Sequence, residues 1–381
     1  MALLTRLSWL GLAKETTQGT AVNPSLYVPV MAPKTEDVVT TLDDDSLANS
    51  ATKIRGVYQG IKDGTFDYDM LVYPEAVGLH AIAAGLVDTT AVYRTVADGV
   101  TTITSTAITS ATAAFTQADV GATIAGSANI PAGTVIASVT SGTAAVLSQN
   151  ATASSTAQTF NIGGTVGQSR HRLALASSGA QPSSLTLTDF DVFETRQYPG
   201  GVLDQFDLTV DAKAVVKLAA KWKTWPSAVS GTGTYAGPAS VPYLGWQVYA
   251  FVNGAAANRI VSAAFTFKRN TEAIHTLSGS QGPQTVFATE AEASVKMKAL
   301  FNDDTDLNYL LNNTQPAIQL SLVGNGGTTL TVTMSKAAFK KAPIDRSGKY
   351  LQIDIDADGV LNTSDAGPMA LTLQDTHSAA Y

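Results

Sequence analysis

Residues 206–211 read Phe206-Asp207-Leu208-Thr209-Val210-Asp211, three apolar side chains alternating with three polar ones. A pleated strand sends successive side chains to opposite faces, so this period of two marks a strand with one buried and one wet side. The same beat recurs downstream. Val295, Met297 and Ala299 alternate with Lys296 and Lys298, and Ile318, Leu320 and Leu322 repeat the spacing. Leu330, Val332 and Met334 are set against three threonines. Between such runs lie turn signals: Val252-Asn253-Gly254, Gly324-Asn325-Gly326-Gly327 and Arg346-Ser347-Gly348. The pattern predicts a mainly β chain built of antiparallel strands.

Helical signals are few. Pro74 to Leu86 starts with Pro at a first helical position and Glu75 after it, and carries Val77, Ile82 and Leu86. Asp304 to Asn312 has acidic residues in its first turn and Leu307, Leu310 and Leu311 on one side. One or two short helices against many strands predict a β-sandwich with a packed helix.

Two segments interrupt the pattern. Ala32 to Lys53, with Asp43, Asp44 and Asp45 in its middle, shows no sustained periodicity and reads as a long acidic loop. Loops of that length inside compact domains tend to be functional. From Gly99 to Gly164 the only charged residue is Asp119, and Thr, Ala and Ser dominate. Ile103, Ile124, Ile130, Val135, Val139, Val146, Leu147 and Ile162 nevertheless recur at strand-like intervals, and Ile130-Pro131-Ala132-Gly133-Thr134 is a turn sequence. Residues 99–164 thus read as a small β domain set into a main body formed by 1–98 and 165–381.

Composition narrows the function classes. Of 381 residues only 14% are charged, below the usual quarter, which suits a chain that hides surface in an assembly. The net charge is −7 and no Lys/Arg cluster occurs, so tight nucleic-acid binding is disfavoured. With no cysteine, thiolate chemistry and disulfides are excluded. The opening Met-Ala-Leu-Leu-Thr-Arg-Leu is broken by Arg6 and resembles no signal peptide, and no apolar run has the length of a membrane span. The expectation is a protein made and soluble in a cytoplasm, without membrane insertion.

Catalytic patterns are missing from the sequence. His80, His171, His275 and His377 lie in unrelated segments with no metal-ligand spacing, and His80 reads as a packed side chain on its helix. Gly231-Thr232-Gly233-Thr234-Tyr235-Ala236-Gly237 lacks the strand, helix and Lys of a phosphate loop. Lys217 to Trp225 interleaves basic and aromatic residues, but Val216, Leu218, Ala220 and Trp222 fall on one face of a strand and the lysines on the other. The best metal candidate is Asp354-Ile355-Asp356-Ala357-Asp358-Gly359-Val360-Leu361-Asn362-Thr363-Ser364-Asp365. Its carboxylates at positions 1, 3, 5 and 12 and glycine at 6 approach a calcium loop, with Asp354, Asp356, Asp358, Val360, Asn362 and Asp365 as ligands. The flanking helices of such a site are absent and Asp replaces the long Glu at the last position, so an acidic turn is the preferred reading and no metal or cofactor is assigned.

Two stretches bear a resemblance to a known family. Leu10-Gly11-Leu12-Ala13-Lys14-Glu15-Thr16-Thr17-Gln18-Gly19-Thr20-Ala21-Val22, then Pro24 and Tyr27-Val28-Pro29-Val30, resembles the opening of major tail tube proteins of long, non-contractile-tailed bacteriophages. Ser278-Gly279-Ser280-Gln281-Gly282-Pro283, Ala291 to Met297 and Asp306-Leu307 are similar to their later strand pairs. Ala113 to Gly121, Ile130 to Thr134 and Ile136 to Val139 resemble a small β module of phage and bacterial surface proteins. The resemblance implies a structural virion protein and not an enzyme: six-membered rings of self-associated subunits stack into a tube, each subunit lending strands to an inner β-barrel. It implies bridging of rings by the long loop, with Asp43, Asp44 and Asp45 as candidate contacts. It further implies tape measure, tail terminator and tail-tip proteins as partners, assembly in the host bacterial cytoplasm, and passage of double-stranded DNA without specific binding. Six copies at −7 would bring −42 to each ring, a charge from which DNA slides away. The rival reading, a surface carbohydrate-binding or adhesive β protein, rests on the Thr/Ala-rich insert and the calcium-like loop.

Overall fold

The stretch 206–211 ends the longest strand in the computed structural model, which describes residues 5–46, 51–131, 134–163, 167–175, 179–231 and 234–381. In chain order the first elements are β1 (Trp9–Lys14), β2 (Leu26–Val28), β3 (Val30–Asp44), β4 (Gly56–Leu71), α1 (Pro74–Ala83) and β5 (Leu86–Val92). Six short strands follow: β6 (Arg94–Thr101), β7 (Ala107–Thr109), β8 (Ile124–Ala125), β9 (Ile136–Ser141), β10 (Ala144–Leu147) and β11 (Ser155–Ile162). Then come β12 (Ser169–Leu175), β13 (Leu185–Phe190), β14 (Thr195–Asp211), β15 (Lys217–Thr224), β16 (Ala228–Ser230), β17 (Val248–Val252), β18 (Ala255–Ala256) and β19 (Ile260–Lys268). The chain closes with β20 (Thr271–Ile274), β21 (Thr285–Ala288), β22 (Glu292–Leu300), α2 (Thr305–Leu311), β23 (Ile318–Val323) and β24 (Thr329–Met334). The last four strands are β25 (Ala337–Lys341), β26 (Ile344–Asp345), β27 (Gln352–Gly359) and β28 (Ala370–Asp375).

Every pairing between these strands is antiparallel, as the alternation predicts. The main sheet runs β3-β4-β15-β14-β19-β22-β27-β25, with β13, β1 and β2 continuing from the first half of β14. A second sheet runs β18-β17-β23-β24-β28-β12-β5. Their facing sides share one core: Phe206, Leu208, Trp222, Phe265, Val295 and Ile355 from the first meet Leu320, Val332, Leu371 and Leu373 from the second. Phe66 packs edge-on against Tyr198 at 5.3 Å, the arrangement that ring quadrupoles favour. Burying the apolar half of each strand drives this sandwich together, and the polar half is left outside.

Helix α1 lies against β1, β5, β12, β14 and β28, and all its residues except Glu75 are buried. A helix apolar on every side belongs inside, which explains why its sequence shows no clear stripe. Helix α2 keeps two of its three leucines on the core side, Leu307 and Leu310 being partly buried against it. Leu311 is exposed, and Asp306 is the buried residue, held by Arg259 through Nη2–Oδ1 and Nε–Oδ2 contacts of 2.6 and 3.1 Å.

The small domain has its own six-stranded sheet, β8-β11-β6-β7-β10-β9, and its own core of Val96, Ile108, Phe115, Ile124, Ile136, Phe160 and neighbours. It begins at Arg94, ahead of Gly99, because Val96 already belongs to that core. Asp119 is fully buried against Arg94, with paired contacts of 2.9 and 2.7 Å. The domain adjoins the sandwich at β5, which leads directly into β6, and at β12, whose Arg170 donates to the Ala118 carbonyl at 2.9 Å. Ala132 and Gly133 of the expected turn, Gly164, and Thr232 and Gly233 of the glycine-rich stretch lie outside the described residues.

Two expectations need correction. The expected long loop 32–53 is a strand as far as Asp44: this part belongs to β3, paired with β4 from Val30↔Met70 to Asp44↔Gly56, and residues 47–50 lie outside the described residues. Both faces of this two-stranded arm are largely exposed, so neither face selects apolar residues and no period of two is written into the sequence. Similarly, Asp354 to Gly359 is not a turn but the last six residues of β27, paired with β22 on one side and β25 on the other.

Candidate functional site

The outer face of the main sheet carries the side chains that the core does not take, and they are sorted by charge from strand to strand. β4 presents Asp67 and Asp69; β15 presents Lys217, Lys221 and Lys223; β14 presents Asp207 and Asp211. β19 adds Lys268, and β22 adds Glu292, Lys296 and Lys298. β27 presents Asp354, Asp356 and Asp358, and β25 ends on Lys340 and Lys341. The residues named are eight lysines and eight carboxylates, and Asp63 of β4 adds a further carboxylate, so this face is close to balanced. Most of the chain's net charge of −7 therefore lies elsewhere.

Register turns this sorting into pairs. Lys221 stands opposite Asp67, Lys268 opposite Glu292, Lys296 opposite Asp356 and Lys298 opposite Asp354. Lys298 Nζ is 3.7 Å from Asp354 Oδ1, and Lys340 is in direct contact with Asp358. The Asp358 carboxylate pushes the Lys340 ammonium above its ordinary value. Asp207 accepts hydrogen bonds from Thr266 Oγ1 at 2.5 Å and Gln205 Nε2 at 2.6 Å. Opposite charges across neighbouring strands support the sheet and neutralise each other in place.

This placement also decides what the candidate calcium ligands do. Along a strand each residue rises about 3.3 Å, so Asp354 and Asp358 are separated by about 13 Å, whereas calcium oxygens sit about 2.3–2.6 Å from one ion. Asp365 is buried away from that row and accepts from Ser335 N and Oγ at 2.6 and 2.7 Å. The Asn362 oxygen accepts from Asp365 N, and its amide donates to Val360 O, Asp365 Oδ2 and Gly367 O. The structure does not bring the six residues together, and no group of three or more His, Asp or Glu among the described residues is arranged to hold a metal. Lys217 to Trp225 follows the strand reading: Trp222 is buried, and Lys217 and Lys221 are exposed.

The arm of β3 and β4 is the second distinctive surface. Its 15-residue first strand reaches about 50 Å at the usual rise per residue. Near its base it is braced by Ser227, which donates from N and Oγ to Asp37 at 2.7 and 2.6 Å, and by His275 on Asp63 at 2.9 Å. Beyond that point Leu42, Val57, Tyr58 and Ile61 are exposed on a two-stranded ribbon. Asp43 and Asp44 end β3, and Asp45 follows it; Asp44 accepts from Ser46 and lies 3.9 Å from Arg55. Leu42 escaped the sequence reading because it lies in the segment without periodicity, and Val57, Tyr58 and Ile61 because they follow it on a strand with no buried face at that end.

The opening Lys14-Glu15-Thr16-Thr17-Gln18-Gly19 owes its form to packing. Glu15 is buried and accepts four hydrogen bonds: from Thr186 Oγ1 and Gly200 N on one oxygen, and from Ser184 Oγ and Gly19 N on the other, at 2.7 to 2.9 Å. Gly19 and Gly200 both have positive φ and lie against the Trp225 ring, where a Cβ would stand within 2.7 Å of it. Lys14 Nζ donates to the Tyr381 carbonyl at 2.6 Å, and Gln18 Nε2 to Val286 O at 3.0 Å. The motif thus ties the first strand to β13, β14, β21 and residue 381.

The histidines divide in two. His80 is buried with Nε2 2.6 Å from the Tyr68 hydroxyl and Nδ1 2.7 Å from Ala76 O, and burial lowers it to about 4. This is the packed residue that the sequence suggests. His171 and His377, distant in sequence, are neighbours in space, with ring centroids 5.9 Å apart. His171 Nδ1 is 2.8 Å from Asp88 and Nε2 is 2.9 Å from His377 O and 3.4 Å from Asp375. Burial opposes its charge, but Asp375 and Asp88 outweigh it and raise the imidazole to about 10. Tyr381 N donates to Asp88 at 3.0 Å and its hydroxyl to Asp375, so this network clamps the last residues onto α1. A Cβ on Gly78 of that helix would strike the Tyr381 ring.

A family model described as Phage tail tube protein matches residues 5–359. No curated protein matches the chain. The matching family is structural and not enzymatic, in keeping with surfaces built from strand faces and an arm. The match covers the main sheet, the arm, the small domain and all of the second sheet except β28, and on that ground the chain belongs to the phage tail tube protein family.

Proposed function

We propose that this chain is the repeating subunit of a phage tail tube, with six copies forming a ring, rings stacking, and the charged face of the main sheet turned inward. Membership of the tail tube family supports the coarse part of this reading: a structural virion component that assembles with itself and other tail proteins. The observation that carries the finer part is the form of the main sheet. Its long run ends on open edges at β3 and at β25 with β26, its β13 branch ends separately at β2 and β16, and between the first two edges lies a face on which Lys and Asp/Glu nearly balance. Open edges invite pairing with another chain, and copies set edge to edge close a barrel that has no edges left. Head-to-tail association of one surface with a different one generates rings when the rotation closes. The small domain grows from β5 and β12 of the second sheet, which supports an outward position for that layer and an inward one for the other.

In such a ring the exposed apolar residues of the arm would be covered by an adjacent copy, and Asp43, Asp44 and Asp45 near its end would meet the next ring. The lumen would enclose the tape measure protein during assembly and later conduct double-stranded DNA. Terminator and tail-tip proteins would cap the stack. No helix among the described residues is long and apolar enough to cross a membrane, in accord with assembly in the host cytoplasm. Negative-stain microscopy of the concentrated protein tests the reading. Hollow tubes of stacked six-fold rings are expected, and a strictly monomeric protein that forms no tubes, alone or in virions, would refute it.

A further inference from the structure

Accepting the inward orientation just proposed, we infer that Asp354, Asp356 and Asp358 act as positioning residues that occupy the lysines of the luminal wall and keep them from gripping the phosphates of passing duplex DNA. Three observations carry this. First, the wall is not uniformly acidic: Lys296 and Lys298 of β22, with Lys340 and Lys341 of β25, form a basic strip on both sides of β27. Left alone, such lysines would bind phosphates and release counterions, the largest sequence-independent term in DNA affinity. Second, β27 runs between the two basic strands and places a carboxylate opposite each: Asp354 at Lys298, Asp356 at Lys296 and Lys341, and Asp358 in contact with Lys340. Third, these carboxylates have no other strong task. They are not buried, they contribute nothing to the core, and the core-facing half of β27 is carried by Ile353, Ile355 and Ala357.

A phosphate approaching the strip must displace a carboxylate already in place, so each encounter is close to neutral. Because Ser294 and Thr209 lie among the charges, the wall also presents hydroxyls that hydrate well. Smooth passage then depends on local pairing and not on the repulsion that a net charge of −42 per ring would exert.

The test uses Asp354→Asn, Asp356→Asn and Asp358→Asn combined, which keeps side-chain shape and removes three carboxylates. Fluorescence anisotropy of a labelled 20-base-pair duplex is read first on the full-length soluble subunit, whose face is open, and then on assembled tubes. The wild type should show no binding at about 50 mM salt. The triple variant should bind, with a slope of log K against log salt near −3, as expected for about three to four phosphates neutralised. Adding Lys296→Gln and Lys298→Gln to the triple variant should reduce that slope and the binding together. A triple variant that binds no more tightly than wild type overturns the proposal, as does binding that the two Gln substitutions leave unchanged. The luminal orientation is judged separately with Ser294→Cys. In tubes it should react with a small maleimide and be shielded from one carrying a large polymer, whereas in free subunits both should react. Equal reaction with the large reagent in tubes refutes the orientation, whatever the duplex does.

Discussion

Replacing Glu15 probes how the sandwich holds its first strand. In Glu15→Ala the hydroxyls of Ser184 and Thr186 can rotate to other partners, but the N–H groups of Gly19 and Gly200 cannot. Leaving a buried donor without an acceptor costs about 1–3 kcal/mol, so two donors set the expected loss at about 2–6 kcal/mol. Glu15→Gln keeps one oxygen for Thr186 and Gly200 and turns an amide toward Gly19 N, which cannot accept. Its loss should be about half as large. Trp225 contacts both glycines, and all four tryptophans, Trp9, Trp222, Trp225 and Trp246, lie outside the small domain. Tryptophan fluorescence in urea therefore follows the sandwich alone, even though two cores make a single unfolding step for the whole chain unsafe to assume. An alanine variant whose fluorescence midpoint implies a loss below about 0.5 kcal/mol would show that the carboxylate is not the hub described.

The pH profile should have two limbs. His171, raised to about 10, contributes stability that is full below about 6.5 and lost as pH rises through 10, at up to about 1.4 kcal/mol per pH unit, and His171→Gln should flatten that limb in thermal melts. His80, lowered to about 4, is neutral when folded, so stability falls as pH drops from about 6.5 towards 4, and His80→Gln should remove that part of the acid limb. Deleting residues 93–165 and joining Val92 to Val166 through a short glycine linker should leave tubes visible by microscopy; a soluble sandwich that forms no rings would place the small domain in the interface. Changing Asp43, Asp44 and Asp45 to Ala should leave the melting temperature within about 1 °C and weaken stacking in a salt-dependent manner, since exposed pairs are worth about 0–1 kcal/mol each and six recur at a ring junction. Calcium titrated into chelated protein should give no saturable heat at Asp354 to Asp365, and a one-site isotherm lost in Asp356→Ala would contradict the spread of those carboxylates along a strand.

The strands of the sandwich were legible because burial on one side writes an alternation into the chain, as at 206–211 and 295–299. The arm was not, because a ribbon wet on both faces has no such pattern to show. The acidic run at 354–358 misled for a related reason: alternate carboxylates serve equally as ligands around an ion and as the outer row of a strand, and the choice depends on which residues lie alongside. Lys296 and Lys298 decide it, yet nothing local in sequence says that their strand is the neighbour. His171, Asp88, Asp375 and Tyr381 were equally out of reach, since they meet only when β5, β12 and β28 line up.

The buried ion pair of the small domain has a consequence for proteolysis. Arg94 opens that domain and Arg170 lies just after it, and between them the chain contains no Lys or Arg. Trypsin-like enzymes therefore find no cleavable bond anywhere in 95–169, folded or unfolded. Of the two flanking sites, Arg94 is engaged by Asp119 and Arg170 by the Ala118 carbonyl. The small domain is thus resistant to trypsin-like enzymes by composition, and exhaustive tryptic digestion should release 95–170 as one uncut peptide.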